Sequence, residues 1–467
     1  MRRFILMLVI LSPLLSMCQQ NMDGNWLGSL EVGIKLRVVF HIKKDNNKFI
    51  TTLDSPDQGA ESIPCGETFV SSDSLTIDIP VIKGKYSGRI ISDSVVVGSF
   101  FQNGQTLPLK LIKTNKVISS LKPQTPVPPF SYKSNSVEYS NETKSVKFGG
   151  TFTYPSAGGP FTTVLLITGS GQQDRDETVF NHKPFAVIAD YLTKKGYAVL
   201  RVDDRGVGQT IGDLKYATTA SFAQDVQAGI AYLKTRKDVN PAKIGLIGHS
   251  EGGLIADMVA ADNKDIAFIV TLAGPGIKGS EILIEQIQAG LEKDSVSAKA
   301  INAQSEVYRM LFSTMAVEKD TSKIFYEVWR NFQTWKSKQD AATLKELNIT
   351  SDNDSQGNLR AMIRDFSNPW IRYFIKTDPV SYIEKLTCKV LALNGEKDIQ
   401  VLAKSNLPAI KAALAKSQSP SYEVKELPGL NHLFQHCSKC DIAEYVDLDE
   451  TFSPEALDII GKWMDGL

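Results

Sequence analysis

Ser250 occupies the centre of Gly248-His249-Ser250-Glu251-Gly252, with a glycine two residues away on each side. Residues 243–247 before it form an apolar run typical of a short buried strand, and residues 253–261 after it form a small-residue run typical of a helix. A serine at the tip of a sharp strand-to-helix turn has a strained backbone and needs small residues at those two flanking positions. The pattern therefore predicts a nucleophilic serine.

A serine hydroxyl attacks well near neutral pH only when a base takes its proton, so a histidine must accompany it. The chain has five histidines. His41 lies in the N-terminal region, His182 precedes the strand of the serine, and His249 adjoins the serine and is expected to point elsewhere. His432 and His436 follow the last predicted strand. We predict His432 as the base because it lies in a turn-rich loop directly after that strand, whereas His436 would begin the next segment.

The base in turn needs a carboxylate that fixes its tautomer and stabilises the imidazolium. Asn394-Gly395-Glu396-Lys397-Asp398 follows a predicted buried strand, and a carboxylate there can reach a histidine one strand along. Glu396 and Asp398 are both eligible, and the spacing from Gly395 favours Asp398. The resulting chain order is Ser250, Asp398, His432.

Attack on a carbonyl creates a negative oxygen, which two fixed N–H groups must stabilise. One donor is predicted to be the backbone of Glu251. The second is expected in the glycine-containing loop Thr168-Gly169-Ser170-Gly171-Gln172-Gln173, from Ser170 or Gly171. Arg175 and Asp176, just beyond, could orient substrate or pair with each other.

The pattern of apolar and polar residues changes along the chain. Residues 24–114 alternate apolar and polar positions in short runs, which predicts a small antiparallel sheet or barrel. A proline-rich linker is predicted at residues 115–135. From residue 136 to 467, six buried-strand runs alternate with helical stretches, which predicts a doubly wound, mostly parallel α/β sheet. In one of the covering helices, Ser221 and Gln224 are spaced as a capping box.

Residues 276–385 have helical periodicity without a buried-strand run. An insertion at this point is expected above the carboxyl ends of the strands, where ligands bind in such sheets. We predict a helical cap or lid, with extra helices packed away from the site as the alternative. Its aromatic end, Trp370 to Phe374, could line a substrate pocket or belong to the core.

The net charge and the N-terminal residues bear on the binding partners and the location of the protein. Lys+Arg and Asp+Glu both number 52, and a net charge of zero argues against nucleic-acid binding. Arg2 and Arg3 followed by an apolar stretch predict a signal peptide over residues 1–18, and Leu15-Ser16-Met17-Cys18 resembles a bacterial lipobox. We expect an extracytoplasmic protein, either periplasmic or anchored to the membrane through a lipidated Cys18. An ordinary secreted protein and a buried N-terminal strand are the alternatives.

Without Cys18, four cysteines remain, namely Cys65, Cys388, Cys437 and Cys440. Four cysteines allow three disulfide connectivities, and Cys437 with Cys440 could close a tight local bridge. A tetrahedral zinc site would need a second ligand pair at a suitable spacing, so we expect no metal.

From about residue 137 to the end, the chain resembles the α/β-hydrolases. The motifs around Gly169, Ser250 and Asp398, together with Asp174-Arg175-Asp176 and Asp204-Arg205-Gly206-Val207-Gly208, are similar to those of bacterial secreted serine esterases related to the prolyl-oligopeptidase-type hydrolases. The resemblance implies a structural turn at Asp204, with no chemical role. Thr168 replaces the histidine that many relatives have before that glycine.

These observations predict a serine carboxylic ester hydrolase that needs no metal or cofactor and acts on a small-molecule or glycan-linked ester. An amide hydrolase such as an aminopeptidase would use the same residues. A noncatalytic ligand-binding lipoprotein is the rival from another class. The oligomeric state and the role of the N-terminal domain are left open.

Overall fold

The computed structural model describes residues 21–32, 35–46, 48–58, 60–115 and 121–467. The predicted targeting segment, with Cys18, lies outside these residues. The chain divides into two compact units, Met1–Leu121 and Lys122–Leu467. In the part of the chain that the structure describes, no helix has both the length and the apolar character needed to cross a bilayer.

The first unit is an antiparallel β structure. Alternate residues of its strands are buried, as in the run Trp26, Gly28, Leu30 of the first strand, so one face forms the core. Within the described residues the sheet has nine strands in the order β4-β3-β2-β1-β9-β8-β7-β6-β5. These strands are β1 (Gly24–Glu31), β2 (Lys35–Asp45), β3 (Lys48–Ser55), β4 (Ala60–Pro64), β5 (Thr68–Val70), β6 (Ser74–Ile79), β7 (Gly84–Ser92), β8 (Val95–Gln102) and β9 (Gln105–Thr114).

The second unit is built on a sheet of eight strands within the described residues, in the order β10-β11-β13-β12-β14-β15-β16-β17. The pairs β10–β11 and β11–β13 are antiparallel, and the other neighbouring strands pair in parallel. The strands are β10 (Lys133–Ser140), β11 (Lys147–Tyr154), β12 (Phe161–Ile167), β13 (Ala198–Val202), β14 (Val239–His249), β15 (Ile266–Leu272), β16 (Lys389–Gly395) and β17 (Tyr422–Leu427).

Two of these strands, β10 and β11, were absent from the sequence-based prediction. Strand β10 is an edge strand whose side chains are mostly exposed and polar, so it lacks the apolar run that identifies buried strands. The predicted linker at residues 115–135 overlaps the start of β10 at Lys133.

Helices cover both faces of the sheet. One face packs against α1 (Pro184–Lys194) and α12 (Pro454–Asp465). The other packs against α2 (Thr219–Lys234), α3 (Glu251–Asp262) and α11 (Ala403–Leu414). The predicted cap of α2 was misplaced, because the helix begins earlier, with Thr218 as N-cap and Ser221, not Gln224, as its capping-box partner.

Residues between β15 and β16 form a set of helices with a core of their own. Leu311, Phe312, Met315, Phe325 and Val328 are among its buried members. These helices are α4 (Gly279–Lys293), α5 (Ala298–Val317), α6 (Thr321–Lys336), α7 (Ala341–Glu346), α8 (Asp352–Asp365), α9 (Pro369–Phe374) and α10 (Val380–Ile383). They occupy the segment in which we predicted a cap.

The cysteines of the described residues fall into two kinds. Cys437 and Cys440 form a disulfide that spans a separation of three residues. Cys65 and Cys388 are free, and burial raises the pKa of the Cys388 thiol to about 12, so it stays protonated and poorly nucleophilic.

Candidate active site

Ser250 lies at the turn from β14 to α3 with φ of 53° and ψ of −122°, a conformation that non-glycine residues rarely adopt. The flanking glycines make this turn possible. A Cβ at Gly248 would lie 2.0 Å from the carbonyl oxygen of Gly252, and a Cβ at Gly252 would lie 2.2 Å from that of Ile167. Only glycine fits at either position, so the sequence pattern around the serine has a steric origin.

Asp398 and His432 meet on the loops that follow β16 and β17. His432 Nδ1 lies 2.7 Å from Asp398 Oδ2, and their side chains are only 5% and 0% exposed. The other carboxylate oxygen, Oδ1, accepts hydrogen bonds from the backbone N–H groups of Gln400 (2.7 Å) and Val401 (2.9 Å). These two bonds fix the carboxylate, which leaves Oδ2 aimed at the imidazole. Glu396, the other eligible acid, instead pairs with Lys397 at the surface.

His432 also lies beside the strand end that carries Ser250. The ring centroids of His249 and His432 are 4.7 Å apart, and His249 Nε2 lies 2.9 Å from the backbone carbonyl oxygen of His432. Among the described residues, no hydrogen bond joins Ser250 Oγ to His432 Nε2. Such bonds are often long in substrate-free enzymes and shorten when substrate binds.

The loop after β12 packs against the serine. A Cβ at Gly169 would lie 3.2 Å from Ser250 Cβ, so this glycine permits the close approach. The Gly169 N–H is already used, since it donates to Glu177 Oε1 at 2.7 Å. The neighbouring Ser170 and Gly171 are exposed, and among the described residues their N–H groups have no protein acceptor. Ser170, Gly171 and Glu251, the first residue of α3, are the positions predicted for oxyanion donors.

Glu177 and His249 form a buried pair that sequence reasoning missed. Glu177 Oε1 lies 3.0 Å from His249 Nδ1 and also accepts from Gly169. Burial lowers the pKa of His249, but the Glu177 carboxylate and the hydrogen bonds more than offset this, and the net pKa is raised. Both ring nitrogens of His249 are engaged, Nδ1 with Glu177 and Nε2 with the carbonyl oxygen of His432, so the ring is not directed at the Ser250 hydroxyl. The pair links the Gly169 loop to the backbone of His432. The two residues are 72 positions apart, so no local pattern could reveal them.

Asp204 holds both ends of the same loop, although we had given it no chemical role. Thr168 Oγ1 donates to its Oδ1 at 2.8 Å, and the Gln173 N–H donates to its Oδ2 at 2.9 Å. Burial raises the pKa of Asp204 to about 7, with smaller contributions from Glu177 and Glu251, while the two hydrogen bonds lower it. Residues 168–173 are therefore clamped by one carboxyl group that titrates near neutral pH.

Arg175 and Asp176 do not pair with each other. Arg175 forms a salt bridge with Asp203 at 2.5 Å, and Asp176 pairs with Arg201. Both are committed to holding the loop after β12 against β13, so the structure does not support the predicted role in orienting substrate.

The insertion contacts the serine turn through one hydrogen bond. Trp370 Nε1, on α9, donates to Glu251 Oε1 at 2.7 Å, and Thr219 Oγ1 donates to the same oxygen at 2.7 Å. The Trp370 ring stacks on Phe374 with centroids 5.7 Å apart. Trp370, in the aromatic end of the insertion, therefore contacts the side chain of Glu251, and Phe374 is buried.

The connectivity of the sheet decides the fold. With β10 to β17 renumbered one to eight, the strand order is 1-2-4-3-5-6-7-8, with the serine after the fifth strand, the acid after the seventh and the histidine after the eighth. The second unit is an α/β-hydrolase fold. A family model described as serine aminopeptidase, S33, matches residues 182–355, which contain Ser250.

Known proteins match parts of the chain. Over 139 residues the chain is 32% identical to Esterase EstD of Thermotoga maritima, which covers 30% of this chain and 33% of that protein. It is 30% identical to the putative hydrolase YtaP of Bacillus subtilis over 130 residues, 24% of this chain and 44% of that protein. The chain thus spans less than half of these relatives' lengths.

Among solved structures, the chain is similar to the Pyrococcus furiosus esterase Pf2001. The match has a TM-score of 0.44 and 16% sequence identity, and it covers 74% of this chain and 97% of that one.

Proposed function

We propose that this α/β-hydrolase is a serine ester hydrolase in which Ser250 is the nucleophile, His432 the general base and Asp398 the residue that orients the base. One observation carries the proposal most strongly. The buried Asp398–His432 pair, at 2.7 Å, lies on the loops after β16 and β17, next to the residue that precedes a serine with a strained backbone. This combination supplies a nucleophile, a base and a fixed tautomer in one place.

The chemistry follows from these roles. Ser250 Oγ attacks the ester carbonyl carbon while its proton moves to His432 Nε2, and the carbonyl electron pair moves onto the oxygen. That oxyanion accepts hydrogen bonds from the N–H groups of Glu251 and of Ser170 or Gly171. Collapse of the intermediate expels the alcohol, which takes the proton from His432. A water molecule, deprotonated by His432, then releases the acid and restores the serine.

The surroundings of the base explain why Nε2 is the acceptor. Asp398 Oδ2 accepts from His432 Nδ1, which places the proton of the neutral imidazole on Nδ1 and leaves Nε2 free. When His432 becomes an imidazolium, the Asp398 carboxylate stabilises its charge. No step requires a metal ion or an organic cofactor.

Hydrolysis of a short-chain nitrophenyl ester by the full chain tests the proposal. We expect the parent to hydrolyse the ester and Ser250→Ala to lose activity by about 10³-fold or more, because the nucleophile is removed. Far-UV circular dichroism should show that both proteins are folded. Equal activity of the parent and Ser250→Ala would refute the assignment.

An aminopeptidase is the second candidate, favoured by the description of the matching family model. Amide cleavage would use the same three residues, since both reactions pass through an acyl-enzyme. Parallel assays on aminoacyl nitroanilides distinguish the two. Cleavage of the anilides without cleavage of esters would replace the esterase proposal by this one.

A further inference from the structure

The N-terminal β unit encloses a cavity of about 500 Å³. The sheet of this unit curls until its edges approach each other. The Thr68 side chain, on the edge strand β5, donates at 2.8 Å to Thr51 Oγ1 on β3, which neighbours the other edge strand, β4. The result is a small barrel with a lumen.

One half of the lumen is filled. Trp26, Phe40 and Tyr86 are fully buried there, and the Trp26 indole N–H donates to the carbonyl oxygen of Met22 at 2.8 Å. The Tyr86 hydroxyl donates to the carbonyl oxygen of Leu109 at 3.3 Å. Large rings with satisfied polar atoms close this end to any ligand.

The other half of the lumen is open and lined by apolar side chains. Leu30, Val38, Leu53 and Phe100 form its deep wall and are buried, while Leu107 is half-buried nearer the mouth. Its volume falls within the range of small-molecule binding sites. Protein cores are normally packed without voids of this size, so an apolar lumen open at one end is a site built to be filled.

Most polar lining residues are exposed or half-exposed, at the rim, but Ser55 is buried and donates to Gln58 Oε1. The polar lining residues are Ser55, Gln58, Gln102, Asn103 and Gln105, and no Asp, Glu, Lys or Arg is among the described lining residues. Amides can hydrogen-bond an uncharged polar head, whereas a carboxylate would find no cation among the described lining residues to offset its desolvation.

We propose that the barrel binds a free, uncharged amphiphile, with its apolar chain in the lumen and its hydroxyl or ester head at the amide rim. A monoacylglycerol has this chemistry. Every described lining residue belongs to the N-terminal unit, so the proposal is independent of the proposed hydrolase function.

The test uses the full chain with Ser250→Ala, so that no ester is consumed. The probe is the neutral dye N-phenyl-1-naphthylamine, whose fluorescence rises in apolar surroundings. We expect saturable binding, and displacement by monolaurin at a concentration at least about tenfold lower than by laurate, which has the same chain but a charged head. Displacement by laurate as effective as by monolaurin would overturn the assigned ligand class.

Lumen variants decide where the probe binds. Leu36→Trp and Leu107→Trp, at half-buried lining positions, should each weaken monolaurin binding by about tenfold or more because the indole fills the lumen. Val97→Trp is the matched control, since Val97 lies on β8 with its side chain exposed on the outer face.

Far-UV circular dichroism identifies a variant that fails to fold, in which case the other lumen variant decides. Unchanged monolaurin binding in a folded lumen variant, or equal weakening in Val97→Trp, would overturn the proposal.

Discussion

At the residue scale, the proposed reaction depends on the orientation of the His432 imidazole. Asp398 Oδ1 is held by two backbone N–H groups, so only Oδ2 is available to His432 Nδ1. In the proposed mechanism, Asp398 thereby decides which nitrogen of His432 carries the proton, and we infer that it acts as a positioning residue.

Asp398→Asn tests that role. The amide oxygen would keep the two backbone bonds, and the amide NH₂ would then face Nδ1, which favours the wrong tautomer of His432. We expect kcat for ester hydrolysis to fall by about 10⁴-fold with little change in KM. Steady-state kinetics measure this. Glu396→Gln, which alters the exposed neighbouring acid, should leave kcat unchanged, and a loss equal to that of Asp398→Asn would contradict the assignment.

The candidate site residues that lie in a local sequence motif could be predicted from the sequence. The glycines around Ser250 follow from one steric requirement, and Asp398 and His432 each follow a recognisable strand. Glu177 left no such signal, and Asp204 was recognised only as part of a turn, since their roles depend on contacts with His249 and Thr168, 72 and 36 positions away. A buried carboxyl is visible only when the fold is known.

At the element scale, helix α9 of the insertion is tied to the serine turn by the Trp370–Glu251 bond. Burial raises the pKa of Glu251, and the bonds from Thr219 and Trp370 lower it, so the indole N–H stabilises the charged carboxylate. The same bond joins the Trp370 ring to the side chain of the residue that follows Ser250. The insertion was predictable as a helical segment, whereas this contact was not.

Trp370→Phe removes the hydrogen bond while keeping an aromatic ring. We expect the free energy of unfolding to fall by about 1–3 kcal/mol, because a buried carboxylate loses a donor, and KM to rise more than kcat falls. Urea unfolding and steady-state kinetics check both. Trp335→Phe is the matched control, since the buried Trp335 Nε1 has no hydrogen-bond partner among the described residues. Equal effects in both variants would refute a specific role for Trp370.

At the scale of the whole molecule, we expect the buried Asp204 to make the stability of the second unit depend on pH. The pKa of Asp204 is raised from its ordinary value of 3.8 to about 7. Between about pH 4 and pH 7, the folded protein therefore keeps the Asp204 proton that the unfolded chain has already lost. The contribution of Asp204 to the free energy of unfolding falls as the pH rises through this range. Since one pKa unit corresponds to about 1.4 kcal/mol, the full loss is roughly 4 kcal/mol.

Asp204→Asn removes this titration, and an amide can still bond both Thr168 and Gln173. We expect its unfolding free energy, relative to the parent, to increase between about pH 5 and pH 8, as followed by urea unfolding. Asp203→Asn is the control. Burial alone would raise the pKa of Asp203, but Arg175 and two backbone N–H groups lower it, so this variant should lose stability at neutral pH. A parent more stable than Asp204→Asn at pH 8 would contradict the account.

The architecture of the molecule was partly predictable on the same physical grounds. Alternating patterns and buried runs indicated an antiparallel N-terminal unit and a mostly parallel sheet. The exposed, polar edge strand β10 lacked a buried run, and the cavity of the first unit depends on curvature that no linear pattern records.

Covalent labelling tests the central claim most directly. A fluorophosphonate reacts with a serine only when a neighbouring base activates it. We predict that the intact mass increases by one phosphonyl group, that peptide mapping assigns the group to Ser250, and that His432→Ala slows labelling by about 100-fold or more. An adduct on another residue, or labelling of Ser250→Ala at the rate of the parent, would contradict the account.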